Sequence, residues 1–230
     1  MSEAALEYDK VCQDYLTGLY EGLSGFISYE PGEKEGGEKG KVFLTYGEIL
    51  YPSVNKVIGY LDINENDVFY DLGSGIGKVP LQFFLKTPVK KAYGVEASKK
   101  RNDHAIRVYE HLKLEFPELF KTGRQLGCME SNFLEADITD ATIIYTCSTC
   151  FNEELLADIG SIVDRCPNIK YVVSMKPIPS KLPFDTILEI ECTWDKTKCY
   201  VYAPAQEGAV EVESTEEVKL EETKEVGGTI

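Results

Sequence analysis

Val68-Phe69-Tyr70-Asp71-Leu72-Gly73-Ser74-Gly75-Ile76-Gly77-Lys78 is the stretch that decides the fold. An apolar strand ends in a carboxylate, enters a glycine turn and leaves it into Lys78–Phe84, which has helical texture. Strand, glycine turn and helix form the opening unit of a doubly wound α/β sheet. The glycines let the chain turn sharply and let a ligand approach main-chain atoms. A dinucleotide site would carry its third glycine where Lys78 stands, and a pyrophosphate would sit over the helix N-terminus. Here that glycine falls one residue earlier, at Gly77, and the negative Asp71 would repel phosphate. The turn suits a cationic ligand instead, such as the amino group of a methionine moiety carrying a sulfonium.

Working outward, strands alternate with helices, the pattern of a mainly parallel sheet. Lys91–Glu96 is the second strand, and a third lies somewhere in Leu126–Glu130. Ala141–Cys147 and Lys170–Met175 are short apolar runs suited to buried parallel strands. Thr186–Thr193 and Lys198–Ala203 flank Trp194-Asp195-Lys196-Thr197, which predicts a closing antiparallel hairpin. Helices are expected at Ser98–Phe116, with Ile106, Tyr109, Leu112 and Phe116 as its core stripe, and at Glu153–Val163. Ahead of the sheet, Ala4–Leu23 places Val11, Tyr15, Leu19 and Leu23 at helical spacing. Pro31–Lys41 is glycine-rich with alternating charge and reads as a mobile loop. The expected organisation is an N-terminal helix and loop over 1–41, a catalytic domain over 42–204 and an acidic, disordered tail over 205–230.

Glu96 ends the second strand, 25 residues beyond Asp71. There a carboxylate can accept hydrogen bonds from both hydroxyls of a ribose. A ligand-free glycine turn with a solvated glutamate is the plain alternative, but the strand context and the two carboxylates together favour a cofactor. The cofactor they suit is S-adenosylmethionine. Asn132 and Phe133 offer a third contact, Phe133 over the adenine face and the Asn132 amide accepting from its exocyclic amine. As an ordinary core aromatic, Phe133 is equally well accounted for.

Composition bounds the rest. The 230 residues carry a formal charge of −15 with 43% hydrophobic content, enough chain for one sizeable core. Eight glutamates against Lys219 and Lys224 put −6 of that charge after Pro204, which leaves −9 on the body. Such a body has no extensive nucleic-acid-binding surface and could attract a basic protein; solubility alone is the plainer reading of the charge. No apolar run is long enough for a membrane span, and no secretory signal is expected at the start. Seven scattered cysteines read as free thiols in an intracellular, reducing setting, nucleus or cytoplasm. Cys147-Ser148-Thr149-Cys150 lacks the second pair that a zinc site needs, so no metal is expected.

The motifs together make the sequence resemble the disruptor-of-telomeric-silencing (Dot-one type) histone-lysine methyltransferases, which act without a SET domain. The likeness runs through Tyr46-Gly47-Glu48, Asp67–Gln82, Tyr93–Glu96, Asn132–Leu134, Ser174–Pro177 and Trp194–Tyr202, in the family's order over residues 42–203. It implies a class I, Rossmann-like S-adenosylmethionine-dependent methyltransferase, with a seven-stranded mainly parallel sheet, a closing hairpin and a small helical N-terminal extension. It implies cofactor contacts from Tyr46 and Glu48, from Asp71, Gly73, Ser74, Gly75 and Gly77, from Glu96, and from Asn132 and Phe133. A lid over the methionine end at residues 46–49 is implied too, and a lysine channel walled by Trp194 and Tyr200, with Tyr202 as the alternative. Cys147 and Ser148 stand where the family carries two asparagines, one near the transferring methyl, and Asn132 and Ile49 replace its usual Asp and Thr. Catalytic roles are expected for Tyr46, Cys147, Ser148, Trp194 and Tyr200. The expected activity is lysine N-methylation of a basic protein, with histone among the candidates. A methyltransferase for another protein or small molecule, and a silent cofactor-binding interaction module, are the alternatives.

Overall fold

The computed structural model describes residues 3–26 and 47–205. Seven strands form one sheet: β1 (Val68–Leu72), β2 (Lys91–Glu96), β3 (Gln125–Glu130), β4 (Ile143–Thr146), β5 (Tyr171–Ser174), β6 (Phe184–Glu191) and β7 (Lys196–Tyr202). Their order is β3-β2-β1-β4-β5-β7-β6. β1 to β5 pair in parallel, and β7 runs antiparallel to both β5 and β6. The strand order reverses between β1 and β4, so a crevice opens at their carboxyl ends, where doubly wound sheets take their ligands.

Helices cover both faces. α1 (Glu3–Leu19), α2 (Tyr51–Tyr60), α3 (Lys78–Lys86) and α4 (Lys99–Glu115) lie on one face, and α5 (Glu153–Val163) on the other. The strands sort their side chains by parity, as a pleated sheet must. Phe69, Ile143 and Tyr145 join the cluster under α1–α4, whereas Tyr70, Leu72 and Ile144 join the cluster under α5. α4 starts at Ser98, whose side chain accepts from the Arg101 amide, and α5 at Asn152, whose side chain accepts from the Leu155 amide.

Three expectations need correction. α1 ends at Leu19 and buries Cys12 and Leu16, with Tyr20 buried just past its end, while Val11 is exposed. Tyr15, Leu19 and Leu23 pack half-buried against the core as expected, and the deeper ridge beside them begins at Cys12, which counts as a small hydrophobe. In α4, Ile106 lies at the exposed rim, and Ala105 and Val108 join Tyr109 and Leu112 inside. α2 has no counterpart in the expected elements. Pro52 occupies its first turn and Ser53, Val54 and Val57 face inward, a stripe short enough to escape notice. The expected loop over 31–41 lies outside the described residues, as does the tail beyond 205.

Candidate functional site

A cavity of about 330 Å³ opens at the switch point. Its floor is the carboxyl edge of the sheet: Asp71 from β1, Glu96 from β2, Tyr145 and Cys147 from β4 and the segment after it. The glycine loop forms one wall. The Gly73 and Ser74 amides donate to the Val95 carbonyl at 2.8 and 3.2 Å, which ties the loop to the end of β2. Gly75 then turns its amide onto Glu96 Oε2 at 2.8 Å, and Ser98 donates its amide to Glu96 Oε1 at 2.8 Å. Two main-chain donors thus hold the Glu96 carboxylate in place, and Arg101 Nη1 lies 4.0 Å from its Oε1.

Asp71 is the opposite case. It is 2% exposed, and its Oδ1 has no hydrogen-bond partner among the described residues. Burial, and then the charge of Glu96, push its carboxyl well above the usual carboxylate range. The Ser74 hydroxyl and the Tyr145 hydroxyl, buried in the same cavity, are unpartnered as well. Unsatisfied buried polar atoms are rare, and three on residues that line one cavity mark a place for a polar ligand. A ligand with a cationic end near Asp71 and a diol near Glu96 fits this set, which are the demands of S-adenosylmethionine.

The far wall is aromatic. Phe133 and Phe151 approach with ring centroids 5.9 Å apart, and both line the cavity. Asn132 also lines it, but its side-chain oxygen accepts from the Leu134 amide at 3.1 Å and closes a turn.

The roof comes from residues 47–50 and the β6–β7 hairpin. The Glu48 carbonyl accepts from the Thr193 amide and the Glu48 amide donates to the Thr193 hydroxyl, Ile49 bridges Cys192, and the Leu50 amide donates to the Glu191 carbonyl at 3.0 Å. Gly47 lies against the Trp194 indole so closely that any Cβ there would overlap the ring. Glu48 reaches across to Lys78 at 2.7 Å and pins this roof to the start of α3. Trp194, 44% exposed, stands at the mouth.

The cavity therefore gathers Glu48, Asp71, Gly73, Ser74, Gly75, Glu96, Asn132, Phe133, Cys147 and Trp194 from the expected set. Tyr46 lies outside the described residues. Three residues sit elsewhere. Gly77 (φ +82°) accepts a hydrogen bond from the Tyr109 hydroxyl at 2.7 Å, and its missing Cβ makes room for that hydroxyl and for Ala105. It lets α4 pack on the loop and does not face the cavity. Ser148 is fully buried behind the wall, bonded to Ser174 at 2.7 Å and accepting from the Lys176 amide at 3.0 Å. Tyr200 follows strand parity: Cys199 and Val201 fill the α1–α4 side, so Tyr200 turns toward the α5 side and leaves the channel wall. Tyr202 shares that parity and accepts from the Ile178 amide at 2.9 Å. Tyr145, Phe151 and Lys78 line the cavity unforeseen. Tyr145 could have been found from parity, since it lies two residues before Cys147 on one strand face.

Cys147 is half-buried, and burial pushes its thiol up to about 12, with Cys192 and Asp71 adding to the shift. It stays protonated at neutral pH, a poor nucleophile and a small neutral wall.

The sheet order, the switch-point cavity and its paired carboxylates define a class I S-adenosylmethionine-dependent methyltransferase fold. Within that class, the family profile "Histone methylation protein DOT1" matches residues 40–191, and the chain belongs to this family. Curated relatives include a histone-lysine N-methyltransferase, H3 lysine-79 specific, of Drosophila melanogaster, 27% identical over 46% of this chain and 6% of that protein. A protein-lysine N-methyltransferase of Saccharolobus islandicus is 31% identical over 40% of this chain and 52% of its own length. The chain thus spans about half of one and a small fraction of the other. Among solved structures, a geranyl diphosphate methyltransferase in complex with GPP and sinefungin superposes with a TM-score of 0.51 at 11% identity. That match covers 67% of this chain and 78% of that one and speaks for the fold alone.

Proposed function

We propose that this protein is an S-adenosylmethionine-dependent protein-lysine N-methyltransferase acting on a basic protein, with histones as the leading candidates. The observation that carries the reading is the cavity itself. Its orphaned Asp71, its braced Glu96 and its Trp194 roof belong to a chain of the DOT1 family. Asp71 receives the amino-acid end of the methyl donor and Glu96 its ribose, while Phe133 and Phe151 flank the base. Ser74 and Gly75 lie along the ligand, and Glu48 with Gly47 covers it. The donor, when bound, supplies a methyl group on a sulfonium as the electrophile.

The remaining work is done by the acceptor wall. A lysine amine must lose its proton before it can attack, and its pKa in water is about 10.4. An apolar entry past Trp194 and Cys147 disfavours the ammonium and lowers that value. The indole face of Trp194 attracts the cationic form at the mouth and helps to orient the side chain. Positioning and exclusion of water can supply most of the rate, so no strong general base is required. The net charge of −15 favours encounter with a basic protein, and a histone acceptor would place the protein in the nucleus.

The test uses the full chain, methyl-labelled S-adenosylmethionine, purified core histones and nucleosomes, with mass spectrometry of the labelled protein. Methyllysine is the expected product. Label on arginine or a small molecule would contradict the reading. Donor binding without turnover on any basic protein would favour a silent module, an outcome that the Cys147-Ser148 replacement makes worth scoring.

A further inference from the structure

Tyr145 takes no part in the roles assigned above, yet it is among the least explained side chains in the molecule. It is 2% exposed, its hydroxyl has no partner among the described residues, and it lines the switch-point cavity. In the β1–β4 ladder it lies directly opposite Asp71, and side chains paired across a parallel ladder share a sheet face. Asp71 Oδ1 is unpartnered as well, so the two oxygens do not bond each other. They are nonetheless near enough for the Asp71 charge to act on the Tyr145 hydroxyl, together with Cys147, Cys192 and Cys199. An unpartnered carboxylate oxygen and an unpartnered hydroxyl on adjacent strands can both accept from one group with several N–H donors. An ammonium has three and no acceptor.

We infer that Tyr145 Oη and Asp71 Oδ1 together form the ammonium subsite of this cavity, in which Tyr145 is a second ligand-contacting group for the amino-acid end of the methyl donor. The inference rests on the methyl-donor reading of the cavity. A neutral hydroxyl beside the carboxylate adds a hydrogen bond that directs the ammonium without placing another negative charge near Glu96. Burial pushes the Tyr145 hydroxyl well above its ordinary value, so it remains the neutral phenol throughout the working range. Left without a ligand, the same hydroxyl is a desolvated group that the fold carries at a loss.

The decisive variant is Tyr145→Phe, which removes one oxygen and keeps the ring. Two probes separate the possibilities by calorimetry: S-adenosylhomocysteine, which has the amino-acid end, and 5′-methylthioadenosine, which lacks it. Tyr145→Phe should weaken S-adenosylhomocysteine roughly tenfold, as expected for a hydrogen bond to a charged group, and leave methylthioadenosine unchanged. Its thermal midpoint should equal or exceed that of the natural protein. Unchanged S-adenosylhomocysteine affinity, or equal weakening of both probes, overturns the inference while the methyl-donor reading stands. A phenylalanine variant that melts several degrees lower or fails to fold gives the hydroxyl a structural role and overturns it too. If the natural protein binds neither probe, the methyl-donor reading itself fails, and this subsite with it.

Discussion

Asp71 and Glu96 end neighbouring strands, yet their surroundings prepare them for different work. Glu96 receives two main-chain amides and is fixed before any ligand arrives. Asp71 receives none on Oδ1, and burial with the nearby Glu96 raises its pKa. A raised carboxyl stabilises the ligand-free fold fully below the ordinary carboxylate pKa, and that contribution is lost as pH rises through the raised value. An ammonium beside it favours the charged form and lowers the pKa again. Ligand binding should therefore expel a proton from Asp71 at pH values between the two, and affinity should rise with pH across that window. Calorimetry of S-adenosylhomocysteine at about pH 6 in two buffers of different ionisation enthalpy checks this. The apparent enthalpies should differ for the natural protein and converge for Asp71→Asn; convergence in the natural protein would mean that Asp71 is already ionised. Gly77 makes a separate residue-scale prediction. Its positive φ and its contact with Tyr109 leave no room for a side chain. Gly77→Ala should lose about 2 kcal/mol or more in denaturant unfolding. A loss below half of that would show that α4 can give way.

Among the elements, the glycine loop, the β2 carboxylate and the closing hairpin were legible in the sequence because each is local: a turn chemistry, a strand end, two alternating runs. α5 was found with both ends correct because Asn152 caps it and its stripe is strong. What escaped depends on partners distant in the chain. Ser148 looked like a cavity residue by its place after β4, but the Ser174 and Lys176 contacts that draw it away come from a later strand. Tyr200 follows from family likeness, and parity against β5 sends it to the other face. Ser148 therefore holds the segment that presents Phe151, whose carbonyl also accepts from Lys176 Nζ at 2.8 Å. Ser148→Ala removes the Ser174 hydroxyl's 2.7 Å partner and leaves the Lys176 amide only the longer bond to Ser174 Oγ at 3.4 Å. It should cost about 1–3 kcal/mol of stability, read by denaturant unfolding. Turnover per folded molecule should fall only through weaker donor binding; a large kcat loss at saturating donor would restore a direct catalytic role. Trp194 belongs to the hairpin roof, and Trp194→Ala should lower kcat/KM for the protein acceptor at least tenfold with a smaller change in donor affinity. Wild-type turnover in that variant would remove the channel from the account.

At the scale of the whole molecule, the roof and the floor are assembled from strands well separated in the sheet. Residues 48–50 bond to β6 and to the turn after it, while the carboxylates and the glycine loop belong to β1 and β2. Only a correctly ordered sheet closes this cavity, so donor binding reports on the fold and the chemistry together. No helix among the described residues is long and apolar enough to cross a membrane. All of these roles depend on one claim, that the switch-point cavity holds the methyl donor with its ribose on Glu96. The most direct test is calorimetric titration of S-adenosylhomocysteine into the full chain and into Glu96→Ala, with the fold of each checked by circular dichroism. Stoichiometric binding to the natural protein, weakened at least about tenfold in a folded Glu96→Ala, is the predicted result. No binding to the natural protein, or equal affinity for the variant, would contradict it.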